Sequence, residues 1–135
     1  MRKFLIPLAV AAIATGAIAA APADRAGRAA ADNAKFQQAV QGLVPGKPID
    51  CIDTRFQRAS LSAIGPRLIY RVSNRLVYVN DTNGGCESVR SGDALVTRQF
   101  STQLCRGDIA QTVNMMNRIP TGSCAMGSFT PYRPG

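Results

Sequence analysis

The strongest structural signal in the chain is the stretch LIYRVSNRLVYVN, residues 68–80. Branched and aromatic side chains alternate along both halves, as is typical of β-strands, and the pair Ser73-Asn74 separates the halves. A two-residue loop at this pair sets Tyr70 opposite Val77. The stretch therefore predicts a β-hairpin, and it favours a fold built mainly from antiparallel strands.

Further strands are predicted on both sides of this hairpin. Residues 49–58 and 94–100 have strand patterns, and residues 122–132 form a last strand. Residues 109–115 fit a strand or a capped helix, and their branched side chains favour the strand. Five or six short strands at this spacing predict a small antiparallel barrel or sandwich, with a β region over residues 49–132.

The first 19 residues have the features of a secretory signal peptide. Arg2 and Lys3 precede an apolar, alanine-rich run, and cleavage after Ala19 fits the small residues there. Residues 20–31 show no apolar periodicity and are predicted to form a disordered tether. After cleavage, no apolar run approaches the roughly twenty residues that a membrane span needs. We therefore expect an exported protein, either periplasmic or secreted.

One domain, residues 32–135, is predicted to follow the tether, and it begins with a helix over residues 33–43. Asp32 precedes the helix as its expected N-cap, and Pro45 ends it because proline has no amide hydrogen. Four apolar side chains recur at positions i, i+3, i+4 and i+7 of one helix face: Phe36, Ala39, Val40 and Leu43. A helix this short is marginal alone, so we expect that face to pack on the sheet.

Four cysteines in an exported chain predict two disulfides. They are Cys51, Cys86, Cys105 and Cys124. Zinc held by four thiolates is the alternative, but structural zinc sites bring their ligands in close C-x2-4-C pairs, and the chain has none. Three disulfide connectivities are possible. We favour Cys86–Cys105 across neighbouring strands and Cys51–Cys124 between the first strand and the last.

Composition and charge exclude several classes of function. The 135 residues include 16 basic and 8 acidic side chains and no histidine. Without histidine there is no Ser-His or Cys-His nucleophile pair and no His-containing zinc site. Removal of the signal peptide leaves a net charge of +6, and 12 of the 14 remaining basic residues are arginine. Arginine binds carboxylate and phosphate groups bidentately.

The arginine-rich stretch around the hairpin is the candidate anion-binding site. It consists of Arg55, Arg58, Arg67, Arg71 and Arg75. If these side chains share a face, they are suited to an anionic envelope component such as a polymer or lipid head groups. A two-residue hairpin points Arg71 and Arg75 to opposite faces, so ordinary solvated arginine is the alternative. Export argues against nucleic acid as the partner.

The sequence assembles no catalytic set, and no metal or cofactor is predicted. Asp50 and Asp53 point to opposite faces of a strand. Asp93 and Asp108 meet only if the turns after Cys86 and Cys105 are adjacent. The tripeptide Arg106-Gly107-Asp108 is interpreted as a turn beside a bridged cysteine rather than as an adhesion signal.

We therefore expect a non-catalytic binding or structural module of the cell envelope. One alternative is a small hydrolase that uses carboxylates, which needs two acids, or an acid and Arg71 or Arg106, converging in a pocket. The other is an inhibitor of a secreted enzyme, which needs an exposed loop with an apolar or charged tip. The candidate for that loop is the turn cluster Asp81–Gly85.

Short motifs around the cysteines resemble a known family. They are CID at 51–53 followed by Arg55, IYR at 69–71, YVN at 78–80, GC at 85–86, LCRGD at 104–108, GSC at 122–124, and Gly127-x-Phe129. Their order and spacing over about residues 48–133 resemble those of a family of small exported bacterial proteins catalogued only as a domain of unknown function. The resemblance implies an exported, cysteine-linked domain and supplies no substrate, cofactor or catalytic residue.

Overall fold

The structure is a computed structural model, and it describes residues 21–54 and 59–135. Within these residues the fold is mainly β, with one α-helix, several antiparallel sheets and two disulfides, which confirms the predicted fold class. The predicted signal peptide, residues 1–19, lies outside the described residues. The elements are α1 (Ala21–Ala39), β1 (Val44–Pro45), β2 (Cys51–Asp53), β3 (Ser60–Ile64), β4 (Arg67–Ser73), β5 (Leu76–Asp81), a 3₁₀ helix (Glu87–Ser91), β6 (Ala94–Thr97), β7 (Gln103–Cys105), β8 (Ile109–Val113), β9 (Pro120–Ala125) and β10 (Phe129–Arg133).

The described residues form ten strands, whereas five or six were expected. There are more strands than expected for two reasons. The predicted last strand is divided in two, and short strands such as β1, β3 and β7 form outside the predicted ones. The stretch 122–132 contains parts of two strands, β9 and β10, which belong to different sheets. The ambiguous stretch 109–115 is a strand, as favoured, and it ends at Val113. Strand β6 ends at Thr97, three residues before the expected end.

The strands form three antiparallel sheets that share one core. The five-stranded sheet has the order β1-β10-β5-β4-β3, β2 pairs with β7, and the three-stranded sheet has the order β6-β8-β9. Leu68 and Tyr70 from the five-stranded sheet meet Leu104 of β7 and Ala110 of β8 in one buried cluster. The two small sheets thus cover one face of the large sheet.

The central hairpin forms as predicted, but its register differs by one residue. The loop begins at Asn74 instead of Ser73, and Tyr70 lies opposite Tyr78 instead of Val77. Just before the loop, β4 contains one extra residue, a β-bulge that changes the pairing. Side chains on both faces of β4 and β5 are buried, which explains why the apolar runs of this hairpin are nearly continuous.

Helix α1 is longer at its N-terminus and shorter at its C-terminus than predicted. It begins at Ala21, so residues 21–31, expected to form a tether, are helical. Alanine is the strongest helix former, and Pro22 is tolerated in a first turn, where its missing amide hydrogen has no partner to lose. The helix ends at Ala39, and Gly42, with φ of 77°, lies in the turn that follows. The missing apolar periodicity favours a disordered tether, but the high helix propensity of the alanines outweighs it.

The C-terminal half of α1 and the turn that follows it pack on the outer face of the five-stranded sheet, as the apolar spacing predicts. Phe36 and Val40 are buried there against Ile69, Val77 and Val79. Asp32 is not the N-cap, because it lies inside the helix with its carboxylate 3.9 Å from the guanidinium of Arg90.

Both disulfides are present, but the favoured pairing is wrong. Cys51 is bonded to Cys105, and Cys86 is bonded to Cys124. Cys51 and Cys105 lie directly opposite each other in the β2–β7 pair. Strand β2 therefore pairs with β7 and not with β9, which contains Cys124. No described cysteine is free, which leaves none as a zinc ligand.

A buried asparagine fixes the connection between β9 and β10. The Asn80 amide donates to the Gly127 carbonyl at 2.8 Å, and the Gly127 amide donates to the Asn80 Oδ1 at 3.0 Å. Asn80 is fully buried, so these two hydrogen bonds satisfy polar groups that have no access to water.

Candidate binding surface

The arginines proposed as an anion site have separate environments. Arg67 donates to the Asp81 carboxylate at 3.2 Å, and its guanidinium lies 4.6 Å from the centre of the Phe36 ring. Arg71 donates to the carbonyl of Ala39, the last residue of α1. Arg75 is exposed in the hairpin loop. Arg67 and Arg71 therefore bind protein groups. Arg55 and Arg58 lie outside the described residues, so an anion site that includes them stays a prediction.

Asp93 and Asp108, the pair considered for catalysis, lie at opposite ends of β8. Asp93 accepts hydrogen bonds from Thr121 and Asn114 at the β8–β9 hairpin. Asp108 lies at the other end of β8, where its carboxylate accepts from the Cys105 amide at 2.7 Å. The two turns after Cys86 and Cys105 are therefore not adjacent.

Asp50 and Arg106 do meet, with 3.3 Å between carboxylate and guanidinium, but both side chains are mostly exposed. The Arg106-Gly107-Asp108 segment is a turn beside the bridged Cys105, as predicted, because the Asp108 amide donates to the Cys105 carbonyl. The Asp108 carboxylate is engaged by the Cys105 amide within the same turn.

Hydrogen bonds to neighbouring segments hold the Asp81–Gly85 cluster in place. The Thr82 hydroxyl donates to the Pro66 carbonyl at 2.6 Å, and the Ala125 amide donates to Asn83 at 2.8 Å. Gly85 lies so close to β9 that a Cβ atom there would be 2.1 Å from the Ser123 carbonyl oxygen. Asp81 and Asn83 are nevertheless exposed, so the inhibitor alternative stays a prediction.

The outer face of the three-stranded sheet carries exposed apolar side chains. Val96 on β6 and Ile109 on β8 point away from the core, whereas Ala110 and Thr112 are buried. This face borders a groove of about 470 Å³, lined by Val96, Arg98, Phe100, Gly107, Asp108, Ile109 and Gln111. Phe100, in the β6–β7 loop, is fully exposed.

The β8–β9 hairpin places more apolar side chains at the opposite end of the same sheet. Met115, Met116 and Ile119 are exposed there, Met116 at 96% of its surface. The loop backbone is ordered by Asn114, whose side-chain oxygen accepts from the Met116 and Asn117 amides at 3.0 and 3.3 Å. We call this loop (residues 114–119), the 98–102 loop and the outer face between them the apolar face.

Charged side chains also lie on and beside the apolar face. Among the described residues Arg98 and Arg118 form no ion pair, and both are exposed. The nearby acids, Asp93 and Asp108, already accept hydrogen bonds from protein groups. The apolar face therefore combines protruding apolar groups with two exposed arginines that form no ion pair among the described residues.

A second, smaller cavity of about 240 Å³ borders Tyr70, Ile52 and Leu61. The Tyr70 hydroxyl donates to the Met126 sulfur at 4.0 Å, and burial raises the pKa of Tyr70 far above that of a free phenol. This hydroxyl is thus held in its neutral form and packs as part of the core.

The residues of the apolar face were not singled out from the sequence. Val96 and Ile109 have the same strand pattern as buried residues, and only the sheet packing shows which side is covered. A local signal did exist in Met115-Met116, which lies between Asn114 and Asn117. Asparagine is typical of turns, so this pair marks an exposed apolar loop.

In residues 21–54 and 59–135, no three His, Cys, Asp or Glu side chains are grouped to hold a metal ion. The same part of the chain has no helix that is long and apolar enough to cross a bilayer. Comparison of the chain with protein-family models, curated proteins and solved structures finds no match. The resemblance to a family of exported proteins therefore stays a prediction, and the function has to be inferred from the surface itself.

Proposed function

We propose that the protein is an exported, non-catalytic module that binds a component of the bacterial envelope through its apolar face. The main support for this proposal is the concentration of exposed apolar side chains on this face. Of the eight large apolar side chains that are exposed in the described residues, six belong to the apolar face: Val96, Phe100, Ile109, Met115, Met116 and Ile119. Exposed apolar area is unfavourable in water, so a patch of this kind marks a surface that a partner covers.

Export is supported by the sequence and by the disulfides. The first 19 residues have the pattern of a signal peptide. Disulfides form and persist in the periplasm and outside the cell and are rare in the cytosol. The Cys51–Cys105 bridge joins β2 to β7, and the Cys86–Cys124 bridge joins the turn before the 3₁₀ helix to β9 of the three-stranded sheet.

Sedimentation with envelope fragments tests this proposal. The oxidised mature protein is mixed with fragments, and the bound fraction is compared for the wild type, the double variant Phe100→Ser/Met116→Ser and the control Val44→Ser. Val44 is also exposed but lies on β1 of the five-stranded sheet. We expect the double variant to bind about tenfold more weakly or worse, since two apolar contacts are lost, and the control to bind like the wild type.

Equal retention of all three proteins, or no retention of the wild type, contradicts the proposal. All three substitutions are at exposed positions, so the thermal unfolding midpoint is expected to stay unchanged. That measurement separates a binding defect from a folding defect.

A further inference from the structure

We infer that the envelope component is an anionic phospholipid bilayer, and that the apolar face lies along its surface. This inference rests on the proposed function and adds the chemistry of the partner. Phe100 and Met116 protrude from loops at opposite ends of the three-stranded sheet, with Val96 and Ile109 between them.

The extent of the apolar face favours a planar partner. Strand β8 alone separates the two loops by about 13 Å, at about 3.3 Å per residue. A small ligand in the groove beside Phe100 does not reach Met116. The interfacial layer of a bilayer accepts side chains of any shape at both positions, whereas a protein partner needs a matching pocket for each.

The net charge of +6 that remains after removal of the signal peptide, together with the exposed arginines of the apolar face, favours anionic lipids. Arg98 and Arg118 lie at the two ends of this face without an ion-pair partner among the described residues. A long arginine stem lies along apolar surface while its guanidinium binds lipid phosphates, bidentately where geometry allows. Acidic lipids attract such residues to the membrane surface.

The absence of tryptophan from the chain allows a direct test. Single-tryptophan variants Phe100→Trp, Met116→Trp and Val44→Trp of the oxidised mature protein are titrated with phosphatidylglycerol–phosphatidylcholine vesicles and with phosphatidylcholine vesicles. We expect the emission of the first two variants to shift to the blue with the anionic vesicles and to be quenched by brominated acyl chains. The Val44→Trp variant is expected to show neither effect.

The contribution of the arginines to vesicle binding is tested by sedimentation of charge variants with vesicles. Arg98→Gln and Arg118→Gln are each expected to lower the partition onto anionic vesicles about fivefold, and added salt is expected to weaken the binding of the wild type. Arg75→Gln is the matched control, because it removes the same charge from the exposed loop of the central hairpin. We expect it to change the partition less than twofold.

Four results overturn the inference. They are the absence of a blue shift at both Phe100→Trp and Met116→Trp, an equal shift at Val44→Trp, equal binding to the two kinds of vesicle, and a shift that grows with protein concentration without vesicles. The last result identifies a second copy as the partner. If the protein does not bind vesicles while its retention by envelope fragments still depends on Phe100, the inference fails and the proposed function stands. If retention is lost as well, both fail.

Discussion

Tyr70 places a phenol in the core where the three sheets meet. The Phe129 ring packs edge-on against it at 6.0 Å, and the Met126 sulfur is a weak acceptor for its hydroxyl. Burial disfavours the phenolate, so the pKa of Tyr70 is raised in the folded protein. The folded state therefore keeps a proton that the unfolded chain releases near pH 10.

The raised pKa predicts a loss of stability in alkali. Above the ordinary tyrosine pKa of about 10 the unfolded state binds fewer protons than the folded state, so the free energy of unfolding falls as pH rises toward the folded-state pKa. Tyr70→Phe is expected to flatten this decline. At neutral pH it is expected to change the free energy of unfolding by less than about 1 kcal/mol, because the lost hydrogen bond is to a thioether.

Urea unfolding from neutral pH to about pH 11 measures both effects. Tyr132→Phe is the control, because it removes a phenol that lies against α1 outside this core. Parallel pH profiles for the wild type and Tyr70→Phe would show that Tyr70 does not cause the decline.

At the scale of elements, α1 is joined to the sheet through side chains of β4. Arg71 binds the carbonyl of Ala39 at the helix C-terminus, where carbonyls lack intrahelical partners and the helix dipole favours a cation. The last turn of α1 contains no basic residue of its own. The strand therefore supplies the charge that many helices carry within their own sequence.

Arg71→Met is expected to lower the free energy of unfolding by about 1–2 kcal/mol, because it keeps the apolar stem and removes the cation from the helix end. Arg75→Met, four residues further along the same hairpin, is expected to change it by less than about 0.5 kcal/mol. Chemical denaturation of both variants measures the difference. Equal effects would mean that Arg71 contributes only as a solvated surface charge.

The elements differ in how well the sequence predicts them. The central hairpin and the buried Phe36–Val40 face were predicted because both depend on local periodicity. The register of the hairpin was missed by one residue because a β-bulge leaves no distinct mark in an apolar run. The apolar face was missed because the exposure of Val96 and Ile109 is decided by sheets that assemble from distant segments. The same nonlocal pairing of β2 with β7 explains the wrong disulfide connectivity.

At the scale of the whole molecule, the two disulfides differ in access to solvent. Cys86 and Cys124 are both buried, whereas Cys51 and Cys105 are partly exposed. Their sequence separations of 38 and 54 residues each correspond to about 4 kcal/mol of stabilisation on the chain-entropy model. The total stability of a small domain is usually about 5–15 kcal/mol, so each bridge is a large fraction of it.

Limited reduction under native conditions is expected to open Cys51–Cys105 first, because these two cysteines are only partly buried whereas Cys86 and Cys124 lie in the core. Alkylation followed by peptide mapping measures the order. The variant Cys51→Ala/Cys105→Ala, which keeps the buried bridge, serves as the comparison and is expected to resist the same treatment. Simultaneous loss of both bridges would show that reduction proceeds only through global unfolding.

The crossed pattern of the bridges has a consequence for biogenesis. In chain order, the first cysteine is bonded to the third and the second to the fourth. If the chain is exported as proposed and emerges from the translocon N-terminus first, Cys51 and Cys86 are both exposed to the oxidant before Cys105 arrives. Oxidation in order of emergence joins this non-native pair. For an exported chain, correct maturation therefore requires either a disulfide isomerase or a delay of oxidation at least until Cys105 has crossed the membrane.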